Sequence, residues 1–417
     1  MKFAKLLSVV LFAVMLLTSV SYGQSISSGT ARYEALGYNP FIKDASIDIN
    51  RNPAWTTVYR NYTFGDIGRN AVGTDQYQLT DQFGAVNFGV SKDVALGLVL
   101  NKYEDNWTDF PAAIDTVLGI KRPVVPLKIT LGWQMSPKFA LGFAPYYAAW
   151  SSEQQFTAVT DITKLSSSSL GATVGLLSKL ENGWIEGAVD AKFNSYKSDV
   201  TVGTTNTVQN NQGGMNLSFF TRGFFLINKS MGLNLVPYLA FSTSSWNPIA
   251  VPTSLGYPDN QFSTMNLGGG IGVNMPVFDN GLLAGGLSFG YSSLSDKSAL
   301  SSGRNITNTA FVLPAFNLGL EWPFTDWMTG RVGYSRAVAS VKNNVETTIG
   351  TAVTTYTKGT AVSSPDQTIT TGLGFHFNRF SIDGTVGEKL FKDGFYIVTG
   401  KTNELFGMLS ASYNFGK

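Results

Sequence analysis

Beyond its first two dozen residues, this chain contains no run of about 18 apolar residues, the length a helix needs to cross a bilayer. It repeats a shorter pattern instead, in runs of roughly 9–13 residues where apolar and polar side chains alternate. Leu127, Ile129, Leu131 and Trp133 fall on one side, with Lys128, Thr130, Gly132 and Gln134 on the other. Ile185, Val189 and Phe193 alternate with Glu186, Asp190, Lys192 and Asn194, and Ile382 and Val386 oppose Ser381, Asp383, Thr385 and Lys389. A period of two is the period of a strand. The chain is therefore all-β, and the choice narrows to a sandwich or a closed barrel.

Three features favour an antiparallel transmembrane barrel. Short turns (91–93, 135–138, 180–183, 229–231, 276–280, 323–326 and 378–379) alternate with longer connectors (near 69–80, 105–124, 151–167, 196–213, 246–260, 295–307, 343–366 and 391–403). Short turns on one side and long loops on the other are the habit of outer-membrane barrels. Aromatics sit near strand ends, at Trp133, Trp150, Trp184, Trp246, Trp322 and Trp327, where an interfacial girdle needs them. Nearly all of the charged strand residues fall on the non-apolar face. Fifteen connections make sixteen strands, with fourteen as the alternative, and an even number returns both ends to the same side.

Composition agrees and excludes other classes. Only 14% of residues are charged and 13% are aromatic, so disorder is excluded. A net charge of +2 argues against a nucleic-acid partner. Zero cysteine removes disulfides and thiolate chemistry, and a single histidine leaves little for a metal site or a triad. No cofactor and no enzymatic activity are expected. At the N-terminus, Lys2 and Lys5 precede an apolar run from Leu6 to Val20, and in Ser21-Tyr22-Gly23 the small residues Ser21 and Gly23 stand at −3 and −1 of a cut between Gly23 and Gln24. That is the layout of a cleaved signal peptide, and it sends the barrel to the bacterial outer membrane.

The expected organisation is a leader at 1–23, a non-alternating segment at 24–55 and the barrel at 56–417, with the first strand near 56–68. The segment carries Asp44-Ala45 and, eight residues on, Asn52-Pro53-Ala54. Pro53 fixes its own φ and pushes Asn52 into an extended conformation, while the Asn52 side chain can bond nearby backbone. Together with the barrel pattern behind it, this motif resembles the N-terminal signature of FadL-type outer-membrane transporters of hydrophobic compounds. It equally resembles the related PorV-type barrels. The resemblance implies that the segment folds inward as a plug. The final strand sets Leu409, Ala411, Tyr413 and Phe415 on one face, and looks like the C-terminal signal read by the barrel-assembly machinery.

Candidate functional positions follow from the alternation. Asn266, Gly268, Gly270, Gly272 and Asn274 on one strand, with Ala284, Gly286, Ser288 and Gly290 on the next, make a bare stretch of inner wall against which the plug is expected to pack. Pro145, Pro237 and Pro314 interrupt strands and predict bulges or ladder gaps; in FadL-type transporters a kinked strand opens the wall sideways. The inferred lumen charges, Lys128, Lys192, Arg222, Arg331 and Lys389 against Glu186, Asp190, Glu321 and Asp383, are mixed and give no single-sign field. His376 is read as a lumen-lining polar residue. The expected function is passive transport of hydrophobic small molecules such as fatty acids. The alternative is a PorV-type barrel that binds exported proteins or a secretion complex without transport. The expected partners are membrane lipid, the assembly machinery, and either a hydrophobic ligand or an exported protein; the oligomeric state stays open.

Overall fold

The computed structural model describes residues 29–67, 83–102, 123–155, 162–202, 205–210, 213–246, 260–278, 281–298, 303–349, 352–363, 368–386 and 406–416. The leader, its cut at Gly23 and Gln24, and Lys389 lie outside them. Two short helices come first, α1 (Thr30–Ala35) and α2 (Ala45–Arg51), then a 3-10 turn (Pro53–Thr57). Strands follow: β1 (Tyr62–Ile67), β2 (Phe83–Gly89), β3 (Val94–Lys102), β4 (Val124–Ser136), β5 (Phe139–Gln155), β6 (Ile162–Leu180), β7 (Gly183–Val202), β8 (Thr205–Asn210) and β9 (Gly214–Asn228). The second half holds β10 (Leu233–Trp246), β11 (Asn260–Val277), β12 (Gly281–Ser298), β13 (Gly303–Thr325), β14 (Met328–Ile349), β15 (Ala352–Ser363), β16 (Thr368–Phe377), β17 (Phe380–Val386) and β18 (Phe406–Asn414). The first strand therefore starts at Tyr62 rather than near 56, because Pro53 and the bonds of Asn52 hold the chain in a helical turn there.

All pairings are antiparallel, and β1 bonds both β2 and β18, which closes the sheet on itself. Two wall positions are each filled by two strands in line. The outer part of β7 pairs with β8 and its inner part with β9. Likewise, the outer part of β14 pairs with β15 and its inner part with β16. The wall is thus a ring of sixteen. Closure is obligatory in lipid, where no water satisfies a strand edge.

The pleat then sorts side chains. On β4, Leu127, Ile129, Leu131 and Trp133 are each at least 40% exposed, while Lys128 and Thr130 are at most 3% exposed. The same alternation places Ile271, Val273, Leu287 and Phe289 outside, and Asn274, Ala284 and Ser288 inside. Trp133, Trp322 and Trp327 stand exposed near the short turns, as a girdle requires. Trp184 and Trp246 do not. They occupy inward positions, Trp246 buried and Trp184 packed on Trp55, because their place in the alternation outranks their place at a strand end.

All seven short turns join adjacent strands where the sequence places them. Several long connectors are largely strand: β6 begins at Ile162, β7 runs on to Val202, and β13 and β14 are 23 and 22 residues long. These lengths exceed the roughly 9–11 residues that span a bilayer, so the hairpins continue beyond it. Of the three prolines, Pro314 sits at a register shift on both sides of β13. Pro145 and Pro237 produce no shift. Pairing simply lapses beside them, toward β4 and toward β9 respectively, because proline offers no amide donor.

Replacing Ile271, which is outward-facing at mid-strand, with arginine is expected to cost about 2–4 kcal/mol in folding into bilayers. The same change at Ser295, in the polar outer part of β12, is expected to cost no more than about 1 kcal/mol. Denaturant unfolding in lipid vesicles measures both.

Candidate functional site

Residues 29–61 precede the wall and lie against its inner face near the short-turn ends of the strands. Their fold is set by a few polar side chains. Asp44 caps α2 by accepting from the Ile47 amide at 3.2 Å, and both its carboxylate oxygens accept from the Gly29 amide at the start of α1. Asn52 is extended (φ −139°, ψ 103°) and accepts from the Ala54 amide at 3.1 Å, which turns the chain into Pro53–Thr57. Ala45 and Ala54 are buried in one cluster with Ile49, Trp55, Tyr62, Phe64 and Leu177. Each motif residue thus has a local reason: Asp44 and Asn52 cap, Pro53 stiffens, and the two alanines fit where a larger side chain would not.

The segment reaches the wall through close backbone approach. Eight inward-facing glycines carry it, on eight different strands. A Cβ on Gly272 or Gly286 would lie 2.5 or 2.7 Å from the Phe41 ring, and one on Gly372 would lie 2.5 Å from Ala35 Cβ. One on Gly132 would lie 2.8 Å from Thr57 Cγ2, and one on Gly319 would lie 3.1 Å from the Leu36 carbonyl oxygen. Cβ atoms on Gly142, Gly175 and Gly333 would overlap the Ala54 nitrogen, the Asn52 amide oxygen and the Gly37 nitrogen. At Gly37 the segment turns with φ 74°, a conformation glycine adopts without strain. The expected bare stretch on β11 and β12 is one arc of this ring: Asn274 donates to the Phe41 carbonyl at 2.9 Å, and Asn39 donates to that of Ala284 at 3.0 Å. The stretch divides along its length. Gly270 abuts Tyr238 and Ser288, whereas a Cβ on Gly268 or Gly290 would meet only ordinary van der Waals neighbours, at 3.6 and 3.7 Å.

Two buried ion networks complete the attachment. Arg222 on β9 donates to Glu186 on β7 at 2.6 Å, to Asp48 on α2 at 2.5 Å and to the carbonyl of Ile42 at 2.6 Å. Glu186 also accepts from the Trp55 indole at 2.5 Å and from Asn52 at 3.3 Å. Farther round the ring, Arg32 makes a two-pronged pair with Glu321 on β13 at 2.9 and 2.5 Å, and reaches Asp44 at 3.1 Å. Glu321 in turn holds Arg331 on β14 at 2.7 Å, and Arg331 pairs with Asp383 on β17 at 2.7 Å. Near the closing seam, Thr30 bonds Asp66 on β1 and the Ala31 amide bonds Ser410 on β18. Burial pushes the Asp44 carboxyl up to about 6 against the pull of Arg32. It pushes the Lys43 ammonium, 4.7 Å from the Phe224 ring centre, down to about 8. Of the mixed charges read from the strands, Glu186, Arg222 and Glu321 are therefore partners for a segment of complementary charge. Arg32, Asp48 and Trp55 escaped the sequence reading because nothing local marks them. Their signal is that the segment carries charges at all while most neighbours are apolar or small.

Above the segment the inner face is partly aromatic. Tyr146, Tyr196, Trp246 and Phe262 are inward and buried, with Tyr196 and Trp246 ring centres 6.4 Å apart. The Lys128 and Lys192 ammonium groups stand 5.8 and 5.1 Å from the Tyr146 ring centre, and Lys192 pairs with Asp190 at 3.1 Å. His376 lies at the short-turn end, 3.1 Å from the Ser381 hydroxyl and 3.2 Å from that of Thr329. At the seam, Leu409 and Tyr413 face outward on β18, and the Phe415 amide bonds the Asn61 carbonyl.

No protein-family model and no curated protein matches the sequence. Solved outer-membrane barrels resemble it. The toluene transporter TodX of Pseudomonas putida aligns over 95% of this chain and 100% of its own, at 10% identity and a TM-score of 0.38. The open form of the ferric-catecholate import receptor Fiu of E. coli K12 aligns over 78% and 69%, at 9% identity and 0.38. OmpT of Vibrio cholerae aligns over 84% and 94%, at 11% identity and 0.30. At such scores the likeness carries no argument about family or ligand.

Adding a single methyl group at the glycine ring is expected to loosen the segment. Gly142→Ala and Gly333→Ala should each cost about 1–3 kcal/mol through overpacking and speed amide hydrogen exchange across 30–57. Gly290→Ala, whose added Cβ would meet nothing closer than Val312 at 3.7 Å, should change neither. Arg222→Ala, which strands Glu186 and Asp48, should cost about 3–5 kcal/mol.

Proposed function

We propose that the protein is an outer-membrane barrel for passive entry of small hydrophobic molecules, with residues 29–61 as a plug at the periplasmic end. The observation that carries this reading is the pairing of a wall-to-wall seat with inward aromatic side chains above it. The plug touches opposite arcs of the ring, beside Gly142 on β5 and beside Gly333 on β14, so a solute entering from outside meets it before reaching the periplasm. Above it, Tyr146, Tyr196, Trp246 and Phe262 supply inward rings where a general porin presents polar groups. The lapse in pairing beside Pro145 adjoins Tyr146 and is the candidate sideways exit, with the bulge at Pro314 as a second. The hydrophobic substrate class also rests on the resemblance of the Asp44-Ala45 and Asn52-Pro53-Ala54 motif to FadL-type transporters.

A second reading has its own support. The long outer hairpins, such as β13 and β14, extend well past the bilayer and present surface to a protein, as a PorV-type barrel would. Uptake by proteoliposomes separates the two. The transport reading expects entry of a small aromatic hydrocarbon or a fatty acid but exclusion of a sugar of similar size. A Trp246→Ala, Tyr196→Ala double variant should slow hydrophobic uptake several-fold while the barrel stays folded. Absence of uptake in the wild-type barrel and in Gly142→Ala, together with a protein retained by the outer hairpins, would establish the second reading.

A further inference from the structure

One guanidinium of residues 29–61 takes no part in the seating networks. Ile47, Asn50 and Arg51 share a face of α2, three and four residues apart, and stay half-buried while Ala45, Asp48 and Ile49 are buried. The Arg51 guanidinium carbon lies 4.3 Å from the Phe220 ring centre, and its Nη1 is buried with no hydrogen-bond partner among the described residues. Phe220 is the inward residue of β9 one row beyond Arg222, away from the short turns, so Arg51 is on the lumen side of the segment. The neighbouring carboxylates are engaged elsewhere. Asp48 accepts from Arg222 and from the Asp44 amide, and Glu186 accepts from Arg222, Trp55 and Asn52. Asp190, a row higher, accepts from Thr173 and pairs with Lys192.

The wall beside Arg51 is bare. Level with Phe220, the inward positions of β10 to β13 are Ala240, Gly268, Gly290 and Val312. The atoms nearest to a Cβ on Gly268 or Gly290 belong to the wall itself, whereas Gly272 and Gly286 are covered by the Phe41 ring. The next row outward, Ser218, Ser242, Asn266 and Ser292 on β9 to β12, is polar. The apolar zone over the segment is therefore one row deep here, about 7 Å of strand, with the guanidinium at its floor. That height suits a ring and not an extended acyl chain. A guanidinium laid on an aromatic face keeps its N–H edge for a planar acceptor, and a carboxylate matches that edge with two parallel bonds. We infer that Arg51 and the Phe220 row form a binding site for a small aromatic monocarboxylate, its carboxylate on the Arg51 guanidinium and its ring against Ala240 and Gly268. This rests on the reading of the lumen as a route for hydrophobic solutes and names the class of solute held there.

Titration calorimetry on the purified full-length barrel in detergent tests this, with benzoate as probe and benzamide, a neutral molecule of nearly the same shape, as comparator. The wild-type barrel should hold benzoate about tenfold more tightly than benzamide, as one charge-assisted pair would give. Arg51→Gln should abolish that preference, and Arg51→Lys, which keeps the charge but not the fork, should retain part of it. Gly268→Leu fills the row while leaving Arg51 in place, and should weaken both ligands. Amide hydrogen exchange across 45–57 reports whether α2 stays seated in each variant. An unchanged preference for benzoate in Arg51→Gln overturns the proposal. If Arg51→Gln unseats α2, Gly268→Leu decides alone, and undiminished benzoate binding there overturns it. Dodecanoate held more tightly than benzoate, and equally by Gly268→Leu and the wild-type barrel, also overturns it. Binding in detergent is independent of passage across a membrane. Hydrocarbon uptake by wild-type proteoliposomes without a preference for benzoate removes this inference alone, and benzoate binding without uptake removes the transport reading.

Discussion

An unpaired backbone amide or carbonyl in hydrocarbon costs several kcal/mol, and the architecture answers that cost first. The last strand, β18, must return to the first, β1, and the six registered pairs from Tyr62 with Asn414 to Ile67 with Leu409 make that return. Once the ring is closed, the pleat leaves only two environments for a strand side chain: lipid or interior. Every later feature divides along that line. Leu131, Ile271 and Phe289 lie outside, while Lys128, Glu186, Arg222, Glu321, Arg331 and Asp383 lie inside.

An interior lined with charge must then be neutralised. Residues 29–61 bring Arg32 and Asp48 to meet Glu321 and Arg222, with Asp44 holding Arg32 from within the segment, and every nitrogen of both guanidinium groups donates. A buried pair of this kind adds modestly to stability but is expensive to break, so it fixes position more than it adds strength. The glycine ring complements it. Where the segment runs beside Gly142, Gly175 and Gly333, the wall gives up side chains so that backbone can meet backbone. Charge determines where the segment attaches, and absent Cβ atoms determine how close it comes.

The division between legible and illegible follows interaction range. Period-two alternation is local, so the strands, the sixteen wall positions and the facing of Leu127 or Ile271 were readable. Strand ends were less so: the stretches near 196–213 and 343–366 look like polar loops, yet each pairs with its neighbour as a hairpin beyond the membrane. There both faces meet water and alternation fades, while the ladder continues. Trp184 and Trp246 were misassigned to the girdle for a related reason. Proximity to a strand end suggested the interface, but parity turned them inward.

By itself the sequence determined the fold class, the strand positions in the wall and the special character of Asp44, Ala45, Asn52, Pro53 and Ala54, because each depends on residues a few positions apart. Only the tertiary structure decided what those residues attach to. Glu186 lies 134 positions from Asn52, and Glu321 lies 289 from Arg32. The glycines that seat the segment are scattered from 132 to 372 and become one ring only when the sheet closes. Contacts across a lumen have no period to betray them; they exist because closure brings distant strands to the same height.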